Sequence, residues 1–303
     1  MSSSDVSRVS AVIVHYRTVD DTVEAARALA LTAPEVEVVV VDNASEDSIA
    51  TRLSAEAPAA RLLAETENRG YGAACNRGAH ETSRPFVLLL NSDAVVQPGA
   101  VDALVAALER DPRAAAVGPL LVNSDGSFQP SILRLPTLWR IFCESSGLAF
   151  LAGGRGPFRG HSATREDHSS AHAVESVKGA AILVRRSVFE EVGGFDESFF
   201  LYAEESDLAA RLRRHGWRIL FEPAAQVVHR GGVSGGDVLF GQLNDSLAGY
   251  VGRHQGKLAA AAARFVLKAG AVARYAVSLL TPGERGRVRR ARYRAALAGA
   301  RRA

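Results

Sequence analysis

A chain of 303 residues, 47% hydrophobic and 23% charged, has the make-up of a folded soluble protein with room for one large α/β domain or two modest ones. Its two cysteines, Cys75 and Cys143, exclude a disulfide scaffold and provide no zinc pattern. The formal charge of +3 conceals an asymmetry: residues 250–303 hold 13 Lys or Arg against one acid, Glu284, so the first 249 residues stand at −9.

In chain order, the apolar run SAVIVH (Ser10 to His15) predicts a strand, and TVDDTVEAARALALTA after it repeats apolar residues at helical spacing. VEVVVVDNAS predicts a second strand ending on Asp42, followed by a helix over Ser48 to Ala57 and a short strand in AARLLAET. YGAACNRGAHETS predicts a helix opened by glycines, FVLLL (Phe86 to Leu90) a buried strand, and PGAVDALVAALERDP a helix with Pro98 near its first turn. Strands alternating with helices, with polar groups at the strand ends, predict an α/β fold whose mostly parallel sheet is flanked by helices. The alternation fades after AAAVGPLLVNSDG, and Leu151 to Ala173 is expected to be a loop that is mobile or orders on substrate binding. VKGAAILVRRSVFEEVGGF restores a strand and a short helix, AEESDLAARLRRHGW predicts a helix, RILFEP and AQVVHR two strands, and the remainder is helical.

Acids at strand ends carry the chemistry. Asp42, closing a four-valine strand, suits a ligand with donor groups such as a ring N–H or a ribose hydroxyl, whereas Asn43, Ser45 and Asp47 read equally as turn formers that cap the next helix. ENRGYGAACNRG is no dinucleotide fingerprint, because Gly70, Gly72 and Gly78 do not make GxGxxG; its turn either leaves backbone N–H groups for a phosphate or is simply tight. Asp93 of Asn91-Ser92-Asp93 reads either as a cap for the helix that starts near Pro98 or as a carboxylate facing a sugar–nucleotide crevice, where it would repel a diphosphate unless a hard cation, Mg²⁺ or Mn²⁺, lay between them. His229, after AQVVH and before a flexible RGGVSGG, is the second ligand expected. Glu204, Glu205 and Asp207 stand together beside Phe195, Phe199, Phe200 and Tyr202. Asp207 can pair with Arg211 at i,i+4, one acid is expected to cap the helix, and another to take a proton from an acceptor hydroxyl.

The pieces VIVHY, VVVVDNAS, ENRGYGAACNRG, LLLNSDA, VKGAAILVRR, GGFDESFFLYAEESDLAARLRRHGW and PAAQVVH, in this order over roughly residues 10–232, resemble the inverting family 2 glycosyltransferases of GT-A type, especially bacterial rhamnosyltransferases. The resemblance implies a Rossmann-like GT-A fold with a nucleotide-binding half over about 1–120, an acceptor-binding half over about 121–247 and a helical cationic extension over 248–303. It implies that His15, Tyr16 and Asp42 surround the base and that Asn68, Gly70, Gly72 and Asn76 approach the nucleotide. It also makes Asp93 and His229 the metal ligands and Glu205 the base. Two residues depart from the family pattern: Asn91 stands for the first Asp of an Asp-x-Asp element and retains an oxygen for ribose or water, and Glu205 stands for an Asp, which leaves Glu204 a rival base. Lys178 and Gly179 either touch the donor sugar or diphosphate or lie in solvent.

The implied reaction moves a sugar, L-rhamnose from dTDP-L-rhamnose or another sugar from a UDP donor, to a glycan or lipid-linked saccharide. A noncatalytic sugar-nucleotide-binding protein is the rival. Sequence-specific nucleic-acid binding is not expected, because after Tyr275 the basic tail offers only Tyr293 for stacking. The start MSSSDVSRVS lacks the features of a signal peptide, so synthesis in the cytoplasm is expected. The apolar stretch Leu258 to Leu280, interrupted by Arg264, Lys268 and Arg274 and followed by ERGRVRRARYR, either lies on an anionic membrane at the inner face of the cell membrane or packs on the body or on a second copy.

Overall fold

The computed structural model describes residues 6–163, 166–231 and 238–298. Strand β1 (Val9–His15), helix α1 (Val19–Thr32), β2 (Glu37–Asp42), α2 (Ile49–Glu56) and β3 (Arg61–Ala64) open the chain. Helix α3 (Tyr71–His80), β4 (Phe86–Asn91), β5 (Ala94–Val96), α4 (Ala100–Arg110) and β6 (Ala114–Val122) follow. Strands β7 (Phe128–Gln129) and β8 (Ile132–Leu133) and helices α5 (Leu138–Ser145) and α6 (Leu148–Leu151) occupy the stretch where the sequence alternation fades. Then come β9 (His172–Val174), β10 (Ser176–Val177), β11 (Ala181–Arg185), α7 (Arg186–Glu191), α8 (Glu204–Arg214) and β12 (Arg218–His229). Helices α9 (Val238–Gln255), α10 (Lys257–Leu279) and α11 (Gly283–Ala298) complete the described chain.

The main sheet runs β3-β2-β1-β4-β11-β6-β12-β5. Its first strands are apolar without a break because both faces are covered. Ile13, Val40 and Leu88 enter one core cluster, while Val12, Val39 and Leu89 enter the cluster on the opposite face. The first four strands are parallel, as are β6 and β12, but β11 lies antiparallel between β4 and β6, and β5 is antiparallel to β12. The sheet is therefore mixed rather than mostly parallel, because the long excursion after β6 brings β11 in from the far end. RILFEP and AQVVHR form one strand, β12, whose pairing with β6 breaks between Glu222 and Gln226, around Pro223.

Between α6 and β9 the expected loop is pinned at several points. His168 Nε2 accepts the Ser131 and Ile132 N–H groups at 3.2 and 3.3 Å, and the buried Arg134 pairs with Glu166. Residues 232–236 of RGGVSGG lie outside the described residues. The division expected at 247/248 falls inside α9, whose Leu247, Tyr250 and Val251 share a core cluster with Phe199 and Ala210.

Candidate active site

Register builds the site. His15 lies opposite Asp42 and Val14 opposite Asn91, so β1, β2 and β4 end level. Strand β11 runs the other way with Ala181 opposite Leu90, which delivers Lys178, Gly179 and Ala180 to the same edge; the Ala180 carbonyl accepts the Asn91 N–H at 2.9 Å. Ala94 pairs with His229, setting that imidazole beside Asp93. A row of polar groups thus stands outside the carboxyl ends of the strands, where α/β sheets hold ligands.

Among the residues expected around the nucleotide, Tyr16 and Asp42 remain partly exposed at this edge. Asp42 accepts the Ser45 N–H at 2.9 Å and the Ser45 hydroxyl, and Asp47 accepts the Ile49 N–H at 3.2 Å, so Ser45 and Asp47 form the turn, but the cap position of α2 is Ser48, without a side-chain bond. His15 is fully buried, with Nδ1 2.8 Å from Thr22 and Nε2 3.1 Å from Asp47; its ring braces α1 and the turn after β2 and does not face a ligand. Asn43 is buried too, and its amide donates to Asn68 Oδ1 at 2.8 Å and to the Gly70 carbonyl at 3.2 Å. Asn68 in turn accepts the Gly70 N–H at 3.0 Å.

Of the two readings of the glycine turn, its hydrogen bonds and close contacts favour the tight turn. The Gly70 N–H is held by Asn68, and the Tyr71 N–H donates to the Phe200 carbonyl at 2.9 Å, so neither is left for a phosphate. Gly70 has φ +94°, and a Cβ there would lie 2.3 Å from the Phe200 carbonyl oxygen; a Cβ on Gly72 would lie 3.0 Å from the Phe195 Cβ. These glycines let α3 close onto the 195–200 loop. Asn76 serves the same seam, donating to the Phe195 carbonyl at 2.9 Å and accepting its N–H at 2.8 Å.

Asp93 is buried in the β4–β5 turn; its Oδ1 lies 3.4 Å from His229 Nε2, and its Oδ2 accepts the Gly231 N–H at 3.2 Å. Burial pushes its carboxyl up, but the hydrogen bond and charge of His229 outweigh this and hold it below the usual carboxylate range. His229 Nδ1 sits 2.6 Å from Gln129 Oε1. Gln129 donates through Nε2 to Asn123 Oδ1 at 2.8 Å and to the His229 carbonyl at 3.0 Å, which sets its amide and requires that Nδ1 carry the proton. Nε2 is then free to meet Asp93 as an imidazolium, or to turn a lone pair toward a cation that the carboxylate shares. This donor pair fits a divalent ion that takes its remaining oxygens from phosphate and water. Among the described residues, no three His, Cys, Asp or Glu side chains gather to form a fuller cage. Of the other two residues in this turn, Asn91 is partly exposed, and Ser92 is buried and accepts the Thr18 hydroxyl at 2.9 Å.

The second carboxylate group sits at the start of α8. Tyr202 and Ala203 both have φ +69°, a conformation unusual for non-glycine residues, and this turn delivers Glu204 and Glu205 as the first two helical residues. The N-cap is Ala203 without a side-chain bond, so none of the three acids is the cap. Glu204 is buried beside Gly72, and its Oε2 has no partner. Burial, and then the Glu205 charge, push its carboxyl well up. Glu205 is only partly covered; its side chain lies 3.7–3.9 Å from the position a Cβ would take on Gly179. Burial raises it as well, opposed by helix N–H bonds and the charges of His161 and Lys178. Burial conversely lowers the Lys178 ammonium while Glu205 raises it.

Asp207 is fully buried and bonded to Arg211 at 2.7 Å and to His254 at 2.8 Å. It anchors α8 to α9, in line with its i,i+4 pairing, and both its oxygens are engaged by these partners. Three further groups escaped sequence reasoning. Tyr71 donates to the Gly179 carbonyl at 3.3 Å, Gln129 fixes the His229 ring, and His161, held 2.9 Å from Glu144, adds charge near Glu205. Tyr71 lay within a noted motif, but Gln129 and His161 are remote in sequence from their partners and carry no local signal.

This sheet order, with a polar edge at the carboxyl ends of its strands and a carboxylate pair beside it, defines a glycosyltransferase fold of GT-A type. Against solved structures the chain superposes on a mannosyltransferase from Pyrobaculum calidifontis, solved with GDP-Man and Mn²⁺, with a TM-score of 0.58 at 19% identity, covering 92% of this chain and 77% of that one. That likeness is one of fold. Residues 10–193 match the model of glycosyl transferase family 2, and the chain belongs to that family. It is 36% identical over 208 residues to the N-acetylglucosaminyl-diphospho-decaprenol L-rhamnosyltransferase of Mycobacterium tuberculosis, a match covering 64% of this chain and 66%, just under two thirds, of that protein. It is 30% identical over 200 residues to the O-antigen biosynthesis protein RfbC of Myxococcus xanthus, covering 65% of this chain and 15% of that protein.

Proposed function

We propose that the protein is an inverting glycosyltransferase that moves a sugar from a nucleoside diphosphate to an acceptor hydroxyl. The observation carrying this reading is the meeting of Glu205, Lys178 and Gly179 at the sheet edge that also bears Asp93 and Asp42. Glu205 takes the acceptor proton as that oxygen attacks C1 of the sugar. The C1–O bond to the diphosphate breaks on the opposite face, and the leaving group departs with the electron pair. Glu204, buried behind the turn, positions its neighbour. Asp42 and Tyr16 receive the base and ribose, while His15, Asn43, Asn68 and Asn76 hold the walls of the site. Asp93 and His229 would hold Mn²⁺ or Mg²⁺, which when bound supplies Lewis-acid stabilisation of the diphosphate. Lys178 lies near the same departing charge. Residues 1–247 act as the catalytic body and 248–303 as an extension braced on it through α9.

The donor we assign is dTDP-L-rhamnose, with UDP-sugars the second candidates, and the acceptor a lipid-linked saccharide reached from the cytoplasmic side. The named activity of the mycobacterial relative supports both assignments. The test is nucleoside-diphosphate release with dTDP-L-rhamnose, UDP-sugars and GDP-sugars, each with an N-acetylglucosaminyl-diphospho-lipid and Mn²⁺, followed by the anomeric configuration of the product. Retained configuration, or the absence of acceptor-dependent release with every donor, would overturn the assignment.

A further inference from the structure

Helix α10 is dressed inside out. Its buried residues are small: Ala260, Ala263, Gly270, Ala271 and Ser278. A Cβ on Gly270 would stand 2.9 Å from the Ser145 Cβ and 3.1 Å from its carbonyl oxygen, so α10 presses its small face onto the end of α5. Val266 and Leu267 pack partly buried against the body, but four other large apolar side chains point the other way. Leu258, Phe265, Val272 and Leu279, each seven residues from the next, are 89, 73, 53 and 59% exposed. On a helix of 3.6 residues per turn this spacing keeps all four within an arc of about 60°. The exposed Ala261, Ala269 and Ala276 fall on or beside the same stripe, and the exposed Arg264 and Lys268 border one side of it. A helix that merely packs on the body would bury its leucines and phenylalanine and expose its alanines.

Other apolar side chains are exposed near the ends of this helix bundle. A crevice of about 270 Å³ joins Ser145, Ser146 and Gly147 to Arg274 and Val277 of α10 and Arg289 of α11. Just past Gly147, Phe150 and Leu151 are 83 and 79% exposed, and beyond Val277, Leu280 is 85% exposed. Among the described residues no helix is long and apolar enough to cross a bilayer. The charge distribution adds an orientation, because an anionic surface repels a body at −9 and attracts a segment with an excess of 12 positive charges.

We infer that the outward stripe of α10, bordered by Arg264 and Lys268, docks the protein in plane on an anionic phospholipid bilayer. The apolar side chains sink into the headgroup boundary and the cations meet lipid phosphates. The inference rests on the proposed lipid-linked acceptor for its use, since docking would hold the sheet edge beside a membrane-borne substrate; its evidence is independent of that reading.

The test is co-sedimentation of the full chain with vesicles of phosphatidylcholine alone and of phosphatidylcholine with phosphatidylglycerol, across a salt series. Wild-type protein should sediment with the anionic vesicles, and salt should release it. The F265S/V272S variant should lose about tenfold or more in partitioning. The R264Q/K268Q variant should lose binding at low salt and show a flatter salt dependence. Failure of wild type to bind anionic vesicles overturns the inference, as does wild-type binding by F265S/V272S. If the melting curve shows that variant misfolded, unchanged binding by R264Q/K268Q overturns it instead. A lipid-free dimer that F265S/V272S splits would make the stripe a contact between two copies and overturn the inference as well. Transfer to a water-soluble acceptor analogue, measured in parallel, separates the two readings. Vesicle binding without any transfer leaves the surface standing and removes the proposed function, and transfer without vesicle binding does the reverse.

Discussion

Replacing Glu205 by Gln removes the proposed base while preserving shape, and its consequences differ from those of Glu204→Gln. General-base loss lowers turnover about 10²–10⁴-fold, equal to about 3–5 kcal/mol of transition-state stabilisation. Both carboxyls are raised, first by burial, Glu204 more strongly than Glu205. The base acts ionised, so turnover should rise with pH through a value above the ordinary carboxylate range. Stability should run the other way. Between that range and the raised value, the folded state keeps protons that the unfolded chain has released, so folding weakens as pH rises across the window. Glu204→Gln removes the unpartnered buried carboxyl, the more strongly raised of the two. It should flatten the stability curve and leave both the acid limb of turnover and most of the rate in place, because Glu204 is still protonated where Glu205 ionises. The assay is nucleoside-diphosphate release from pH 5 to 9, with melting temperatures of each variant in the same buffers. Turnover of Glu205→Gln above about a tenth of wild type, or a larger loss in Glu204→Gln, would refute the assignment.

Asp93→Asn should abolish cation-dependent transfer with little change in melting temperature, and His229→Ala should weaken the cation dependence less; titrating Mn²⁺ into both variants checks the order. Gly70→Ala combines a positive φ with a Cβ 2.3 Å from the Phe200 carbonyl oxygen, so it should cost about 2–5 kcal/mol in urea unfolding and lower turnover as the 195–200 loop shifts. Asp207→Asn leaves Arg211 and His254 without their buried partner and should cost about 3–5 kcal/mol by the same measurement. Burial opposes it, but His254 and Arg211 hold the Asp207 carboxyl below its ordinary range, so this stabilisation is present above the usual carboxylate pKa and is lost as pH falls through the lowered value.

Local pattern settled the parts of this protein that local physics settles. Uninterrupted apolar runs marked β1, β2 and β4 because strands covered on both faces have no polar side to show. The acids after those runs stood out because a charge seldom adjoins a core strand without a reason, and Asp42 and Asp93 do lie at one edge. Tertiary structure decided what depended on distant partners. That β11 runs antiparallel follows from where a long excursion re-enters the sheet, which no window of sequence records. The burial of His15 by Thr22 and Asp47, and the bracing role of Asn76, arise from contacts across 7, 32 and 119 residues. The same holds for Glu204 and Glu205, neighbours of one residue type: only the packing of Gly72 and Gly179 beside them makes one a buried support and leaves the other facing the edge. In α10 the sequence showed a helix rich in alanine and interrupted by cations. The choice of which face turned inward fell to Ser145, whose backbone approaches so closely that only the small side admits it, and that contact leaves Leu258, Phe265, Val272 and Leu279 outside.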